Sequence, residues 1–350
     1  MHAPTNLWII VATVLAAVVA LVGYDLIHAI ERWLTLGFAV IFGILTIAVF
    51  ALTFPAGSFN VGEFKATPFL IQFGAVAGYQ ISWAIYVSDY SRYLPPTVGI
   101  RRTFLWTYWG SALGGIWLMC LGAALAAWAG DKFDTVASLR SAGDHVFHGF
   151  GAIVLVFSML GLVSVTALNM YGGSLTLISA ADSIKKMRPT TVVRIVTIAV
   201  TAVLSVIPAL LIGQDFLTNF EDFLLLVLYL FVPWTAVNLV DYYIVRRGHY
   251  AVAEIFNPHG MYGRWGWRGI AAYLLGFGAM LPFLSTSKYT GFIAHDLKGA
   301  DISFFVGLPV AGILYWLFAR TIDVAAETEV ALRERAELEA AAEAHRRPDE

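Results

Sequence analysis

Charge is scarce in this chain. Only 13% of its 350 residues are Asp, Glu, Lys or Arg, against about 25% in a soluble domain. Cysteine is scarcer: Cys120 stands alone, so no intrachain disulfide scaffold exists. GxxxxGK[ST], HExxH, GxSxG and clustered Cys–His ligands are all missing, which excludes a P-loop ATPase, a zinc hydrolase and a serine esterase. An enzyme buried in a membrane would still need a nucleophile–base pair or a metal cluster, and neither is visible. A net charge of −2 with no concentrated basic face excludes nucleic acid as a partner. High apolar content excludes disorder.

Apolar surface is what the chain has in excess. Hydrophobic residues make up 59% of it, and its mean hydropathy is +0.73. A soluble core of this length could not bury that much. Nine apolar runs approach the length of about 20 residues that crosses a bilayer: Leu7–Tyr24, Trp33–Leu52, Phe69–Val87, Phe104–Ala129, Gly151–Ala180, Thr191–Ile212, Phe223–Val245, Ile270–Leu284 and Phe304–Phe318. None alternates with period two, so helices rather than a barrel satisfy the backbone in lipid. The expected class is an all-α polytopic membrane protein of about nine transmembrane helices, with the lipid bilayer as its surroundings.

Loop charge orients it. The loops after spans one, three, five and seven carry twelve Lys and Arg, among them Arg92, Lys185, Lys186, Arg188, Arg194, Arg246 and Arg268; the other loops carry five, including Lys132. The positive-inside rule then places the C-terminus in the cytoplasm of a multi-pass protein of the inner (plasma) membrane. Nine spans put Met1 outside, yet MHAPTN has no basic residue and opens straight into a span. That start predicts that an odd number of helices is missing in front of it. Residues 1–321 read as the membrane domain. Residues 322–350, rich in Ala, Glu and Arg, read as a charged, solvated helical tail without a partner.

Polar residues interrupt three spans. The third contains GYQISW, where Gly74 and Gly78 form a GxxxG contact motif and Gln80, Ser82 and Trp83 bring an amide, a hydroxyl and an indole toward mid-membrane. An indole there is either a stacking platform for a flat ligand or a packed helix contact. Asp89 and Arg92 beyond it read as an end-of-helix ion pair. In the fifth span Thr166, Asn169 and Gly173 share a face at 100° per residue, and Ser164 lies on another. A carboxamide suits the edge of a base, and hydroxyls suit Na⁺; interhelical hydrogen bonds would use the same groups. The seventh span carries Pro233, a hinge or a tolerated kink, followed by Thr235, Asn238 and Asp241 at i+3 spacing. No charge sits at the centre of a span, so a neutral ligand is expected.

GYQISWAIYVSDYSRYLP, LNMYGGSLTLISA and VPWTAVNLVDYYIVRRGHY, in that order, resemble three segments of the cytosine–purine permease branch of the nucleobase:cation symporter family, and GYDLIHAIERW is similar to a fourth. The resemblance covers nearly the whole chain apart from the tail. It implies a LeuT-type inverted-repeat transporter in which these nine spans correspond to helices four to twelve and the first three are absent. The third span would then be one of the broken helices. By the same resemblance Trp83 stacks on the substrate ring, with Gly78, Gln80 and Ser82 beside it. Asn169 hydrogen-bonds the nucleobase, and Ser164 and Thr166 supply hydroxyls to a coupling cation, Na⁺ unless coupling is to H⁺. The implied activity is import of a nucleobase, or a related small heterocycle, by symport. The alternative is a shortened permease that transports nothing alone.

Overall fold

The computed structural model describes residues 5–53, 64–91, 94–129, 134–184, 190–211 and 216–346. Arg92, Lys132, Lys185, Lys186 and Arg188 lie outside them, as does the side chain of Asp89. Among the described residues there are helices and no strand: α1 (Thr5–Val22), α2 (Tyr24–Ala48), α3 (Ala66–Trp83), α4 (Val87–Ser91), α5 (Ile100–Ala129), α6 (Thr135–Asp144), α7 (Phe150–Ile184), α8 (Thr191–Leu211), α9 (Phe216–Leu239), α10 (Val252–Ile255), α11 (Trp267–Met280), α12 (Phe292–Asp296), α13 (Ser303–Ala319) and α14 (Val324–Arg346). Single π-turns prolong α2 over Val49–Thr53 and α9 over Val240–Val245.

Each of the nine expected spans coincides with one of these helices. Six are long and apolar enough to cross a membrane unaided: α1, α2, α5, α7, α8 and α9. The other three are marginal for physical reasons. α3 has 18 residues but dilutes its apolar side chains with Gln72, Gln80 and Ser82. α11 has 14 residues before a 3₁₀ turn at Leu281–Phe283, and α13 has 17.

The chain forms two compact units, residues 1–62 with 86–214, and residues 63–85 with 215–350. In the first, α7 is the central element, 35 residues without a break. Phenylalanines key it to α2 in both directions. Phe38 fills the notch at Gly161 and Phe157 the notch at Gly37, where a Cβ would come within 2.5 and 2.4 Å of the rings. The two rings meet edge to face, 6.3 Å apart. On another side of α7, Ala167 and Met170 pack with Ala16 and Ala20 of α1 and Ile198 of α8. α1 stops at Gly23, whose φ of +108° an L side chain rarely adopts. Arg194 on α8 closes that break, donating through Nη2 to the carbonyls of Ala20 at 3.2 Å and Leu21 at 2.8 Å while its guanidinium lies 5.6 Å from the Tyr171 ring. A cation on the last carbonyls of a helix both satisfies them and complements the dipole.

In the second unit α11 and α13 run antiparallel, with contacts at four-residue steps along α11. Arg268 meets Thr321, Ala272 packs with Tyr315, Gly276 meets Ala311 and Met280 meets Gly307. Small residues at alternate steps let the backbones approach, as membrane helices require when lipid supplies no hydrophobic drive between them. α3 lies on α9 through its GxxxG: a Cβ on Gly78 would stand 3.0 Å from the Leu224 carbonyl. α9 continues through Pro233 as helix.

The tail departs from its expected solvation. α14 turns from α13 by 88° and its first turn is docked. Glu327 is 9% exposed and takes Arg246 Nε at 2.7 Å; Arg246 also pairs with Asp241, which accepts from Tyr250 at 2.7 Å and from Tyr315. Two turns further on, Glu334 accepts the Ala253 N–H at 2.8 Å. Burial alone works against the Arg246 charge; the hydrogen bond to Glu327 and the charges of Asp241 and Glu327 outweigh it, and its pKa is raised. A segment that composition marked as solvent-facing is thus held by two glutamates. Beyond them its ion pairs, Arg333–Glu329 and Arg335–Glu339, are exposed as expected.

Two consequences are measurable by thermal unfolding in detergent and by proteolysis. Gly276→Ala forces a Cβ to 2.6 Å from that of Ala311 and should cost about 1–3 kcal/mol by overpacking. Gly278→Ala, with open space around it, should be neutral or gain up to about 1 kcal/mol of helix propensity. Glu327→Gln strips Arg246 of one of its two carboxylates and should make the chain within α14 cleavable several-fold faster by a dilute protease. An unchanged cleavage rate would mean that α14 is held by something other than this ion pair.

Candidate substrate-binding and cation-binding residues

The sequence-derived candidates divide between the two units. In the second unit, Trp83 is the last residue of α3. The helix ends there because the Ala84 N–H turns back to the Ile81 carbonyl at 3.1 Å, and residues 84–86 form a turn before α4 begins at Val87. The break expected in the third span therefore falls directly after the indole, which is half-buried. The amide of Gln80 belongs to an exposed residue one turn earlier. Ser82 spends its hydroxyl proton on the Tyr79 carbonyl at 2.7 Å, a bond that satisfies a carbonyl close to the break and leaves the oxygen lone pairs free. Gly78 is engaged in the contact with α9.

In the first unit, α7 carries the other three. Ser164 faces inward: it is 6% exposed, and its Oγ has no hydrogen-bond partner. Leaving a buried hydroxyl unmade costs about 1–3 kcal/mol, so an oxygen in this position suits a bound cation or water. Thr166 is half-buried and donates to the Leu162 carbonyl at 2.7 Å, with lone pairs still available. Asn169 is exposed, and among the described residues its carboxamide makes no hydrogen bond. Both a donor and an acceptor thus remain for a ligand edge.

The shared face expected for Thr166, Asn169 and Gly173 is divided by packing. Gly173 is turned toward α8, where a Cβ would come 3.0 Å from Thr201 Cγ2, while Asn169 stays outside the core. Ser164 and Asn169 do lie on different faces, one buried and one exposed. Thr235, Asn238 and Asp241 do not act together either. Thr235 Oγ1 is buried without a partner, Asn238 donates back to the Trp234 carbonyl at 2.8 Å, and Asp241 belongs to the network around Arg246.

Sequence reasoning missed three polar constructions. The Arg194 clamp was counted only as loop charge. Glu327 belongs to the tail expected to be a charged, solvated helix. The third is Asp301, 4% exposed, which accepts from the Tyr229 hydroxyl, the Ser285 N–H at 2.9 Å and the Ser303 N–H at 2.8 Å. Its Asp-x-Ser spacing at the start of α13 was a readable signal for a helix-start cap.

Residues 1–307 match the family described as permease for cytosine/purines, uracil, thiamine, allantoin. The chain is 35% identical over 298 residues to the putative purine-cytosine permease YxlA of Bacillus subtilis, covering 85% of this chain and 65% of that protein. It is 26% identical to the purine-cytosine permease fcyB of Emericella nidulans, covering 88% of this chain and 61% of the relative. It therefore spans about two thirds or less of the length of these relatives. Among solved structures it is similar to the inward-facing conformation of Mhp1, with a TM-score of 0.69 at 18% identity over 96% of this chain and 70% of that one. That likeness carries the LeuT-type fold expected from the resemblance. A multi-pass helical chain with a broken third span, matched by this family over most of its length, belongs to the cytosine/purine permease family.

Proposed function

We propose that the chain is the membrane domain of a secondary transporter for nucleobases of the cytosine and purine class, coupled to Na⁺ or H⁺ and working by alternating access. Family membership supports the transport class. The observation that carries the site assignment is the end of α3 at Trp83: the half-buried indole stands at a helix break, and irregular backbone of that kind is found at transporter sites. In this reading, carried over from the family, Trp83 is the residue that stacks on a substrate ring, Gly78, Gln80 and Ser82 shape the surroundings of the indole, and the carboxamide of Asn169 is the group that hydrogen-bonds a nucleobase. Ser164, with Thr166 beside it, donates oxygen lone pairs to the coupling cation. Residues 1–321 form the transport domain in the inner membrane, and the tail from residue 322 lies in the cytoplasm.

Stacking of a base on an aromatic is worth about 1–3 kcal/mol, and a specific hydrogen bond is worth a similar loss when its partner is left unpaired. In cells lacking their own permeases, Trp83→Ala and Asn169→Ala should each lower uptake of radiolabelled cytosine or hypoxanthine about tenfold or more, at equal membrane abundance. Full uptake by both variants would end the assignment. Uptake by the 350-residue chain should be compared with that of the chain joined to the N-terminal helices of a relative. Transport only from the joined form would favour the shortened-permease alternative.

Ser164→Ala distinguishes the ions. If Na⁺ is the coupling ion, the variant should lose the stimulation of uptake by Na⁺ while keeping equilibrium binding of the base in its absence. A stimulation equal to that of the parent would remove Ser164 from the cation site.

A further inference from the structure

Three arginines of the second unit differ in their surroundings. Arg246 is surrounded by carboxylates. Arg268 and Arg320 are not: among the described residues neither forms an ion pair. They are nevertheless held at one place, the end of the α11/α13 pair where α11 begins and α13 stops. Arg268 donates Nε to Thr321 Oγ1 at 2.7 Å and Nη2 to the Thr321 carbonyl at 3.4 Å, which ties it to the residue after Arg320. Each guanidinium also lies against an indole, Arg268 at 5.1 Å from Trp267 and Arg320 at 4.0 Å from Trp316. Trp267 is 54% exposed, Trp316 41%. Asp323, three residues past Arg320, accepts the Ala326 N–H at 3.1 Å. The first turn of α11 has no side-chain cap, so backbone N–H groups and their partial positive charge face the same end.

In a membrane-spanning chain, exposed indoles at helix ends mark headgroup depth. Two guanidiniums held there over aromatic faces, with no carboxylate to neutralise them, present fork-shaped donors to a phosphate. We propose that this corner of the second unit is a binding site for an anionic phospholipid, with Arg268, Arg320 and the first turn of α11 on the headgroup phosphate and Trp267 and Trp316 against the glycerol and upper acyl region. The proposal does not depend on the nucleobase reading.

Native mass spectrometry of the full chain in detergent, titrated with phosphatidylglycerol or phosphatidylcholine, tests it. The parent should bind phosphatidylglycerol at least tenfold more tightly than phosphatidylcholine. Arg268→Gln with Arg320→Gln should abolish that preference and leave phosphatidylcholine binding unchanged. Arg320→Gln alone, which removes a side chain without a hydrogen bond among the described residues, should lower the preference several-fold with no change in melting temperature; it serves if the double variant unfolds. Arg333→Gln with Arg335→Gln, on the exposed part of α14, should keep it. Equal binding of the two lipids by the parent, or an undiminished preference in the Arg268/Arg320 variants, would overturn the proposal. Competition by inorganic phosphate at equal concentration would overturn its assignment to a lipid.

Discussion

In hydrocarbon there is no water to repair a broken helix, so every interruption of the backbone ladder must be mended by the protein itself. That constraint accounts for the most specific polar chemistry in this chain. At Gly23 the freed carbonyls of α1 are met by Arg194. Beyond Leu239 the ladder loosens into a π-turn, and its end is gathered by the Arg246 N–H on the Asp241 carbonyl at 2.8 Å and by the Asp241–Arg246–Glu327 network. Before α13 the chain returns through Asp301, which accepts two backbone N–H groups and a tyrosine hydroxyl. In each case a charged group stands at a helix end.

The turn after Trp83 differs. Among the described residues it is closed by the Ala84 N–H on the Ile81 carbonyl and by the Ser82 hydroxyl on Tyr79, both neutral groups. Hydroxyl and backbone groups take the place that charged groups hold at the other breaks. The same contrast holds along α7. Four of its hydroxyls are satisfied within their own helix: Ser158, Thr166, Ser174 and Thr176 each bond a carbonyl three or four residues back. Ser164 does not, and it is buried. Function is argued from such departures, because a helix interior normally leaves nothing unpaired.

The helices themselves were legible because hydrophobic length is a strong, local signal. All nine runs coincide with helices, and the shortfall reflects polar dilution in α3, an early 3₁₀ end in α11 and a length of 17 residues in α13. Candidate residues in the third and fifth spans were legible as chemistry, but not as orientation. A period of 100° placed Thr166, Asn169 and Gly173 together, whereas Gly173 follows the contact with Thr201 and Asn169 does not. Which face of an apolar helix turns inward is decided by its partners, and those are distant in sequence. Arg194 and Glu327 were illegible for that reason. Their partners lie 173 and 81 residues away, and nothing local marks either residue as more than loop or tail charge.

Arginine therefore carries three jobs in this fold, separable by what lies within reach of the guanidinium. Backbone carbonyls around Arg194 make it a helix cap, and carboxylates around Arg246 make it an anchor for α14. Indoles and a threonine around Arg268 and Arg320 leave their charge uncompensated. The positive-inside rule treats all of these as equal increments of charge. Energetically they are unequal. The first two charges are neutralised by dipoles or anions within the protein and have little left to offer the membrane. Any electrostatic attraction to an anionic leaflet at this end of the second unit must fall disproportionately on the arginines that the protein has not already paired.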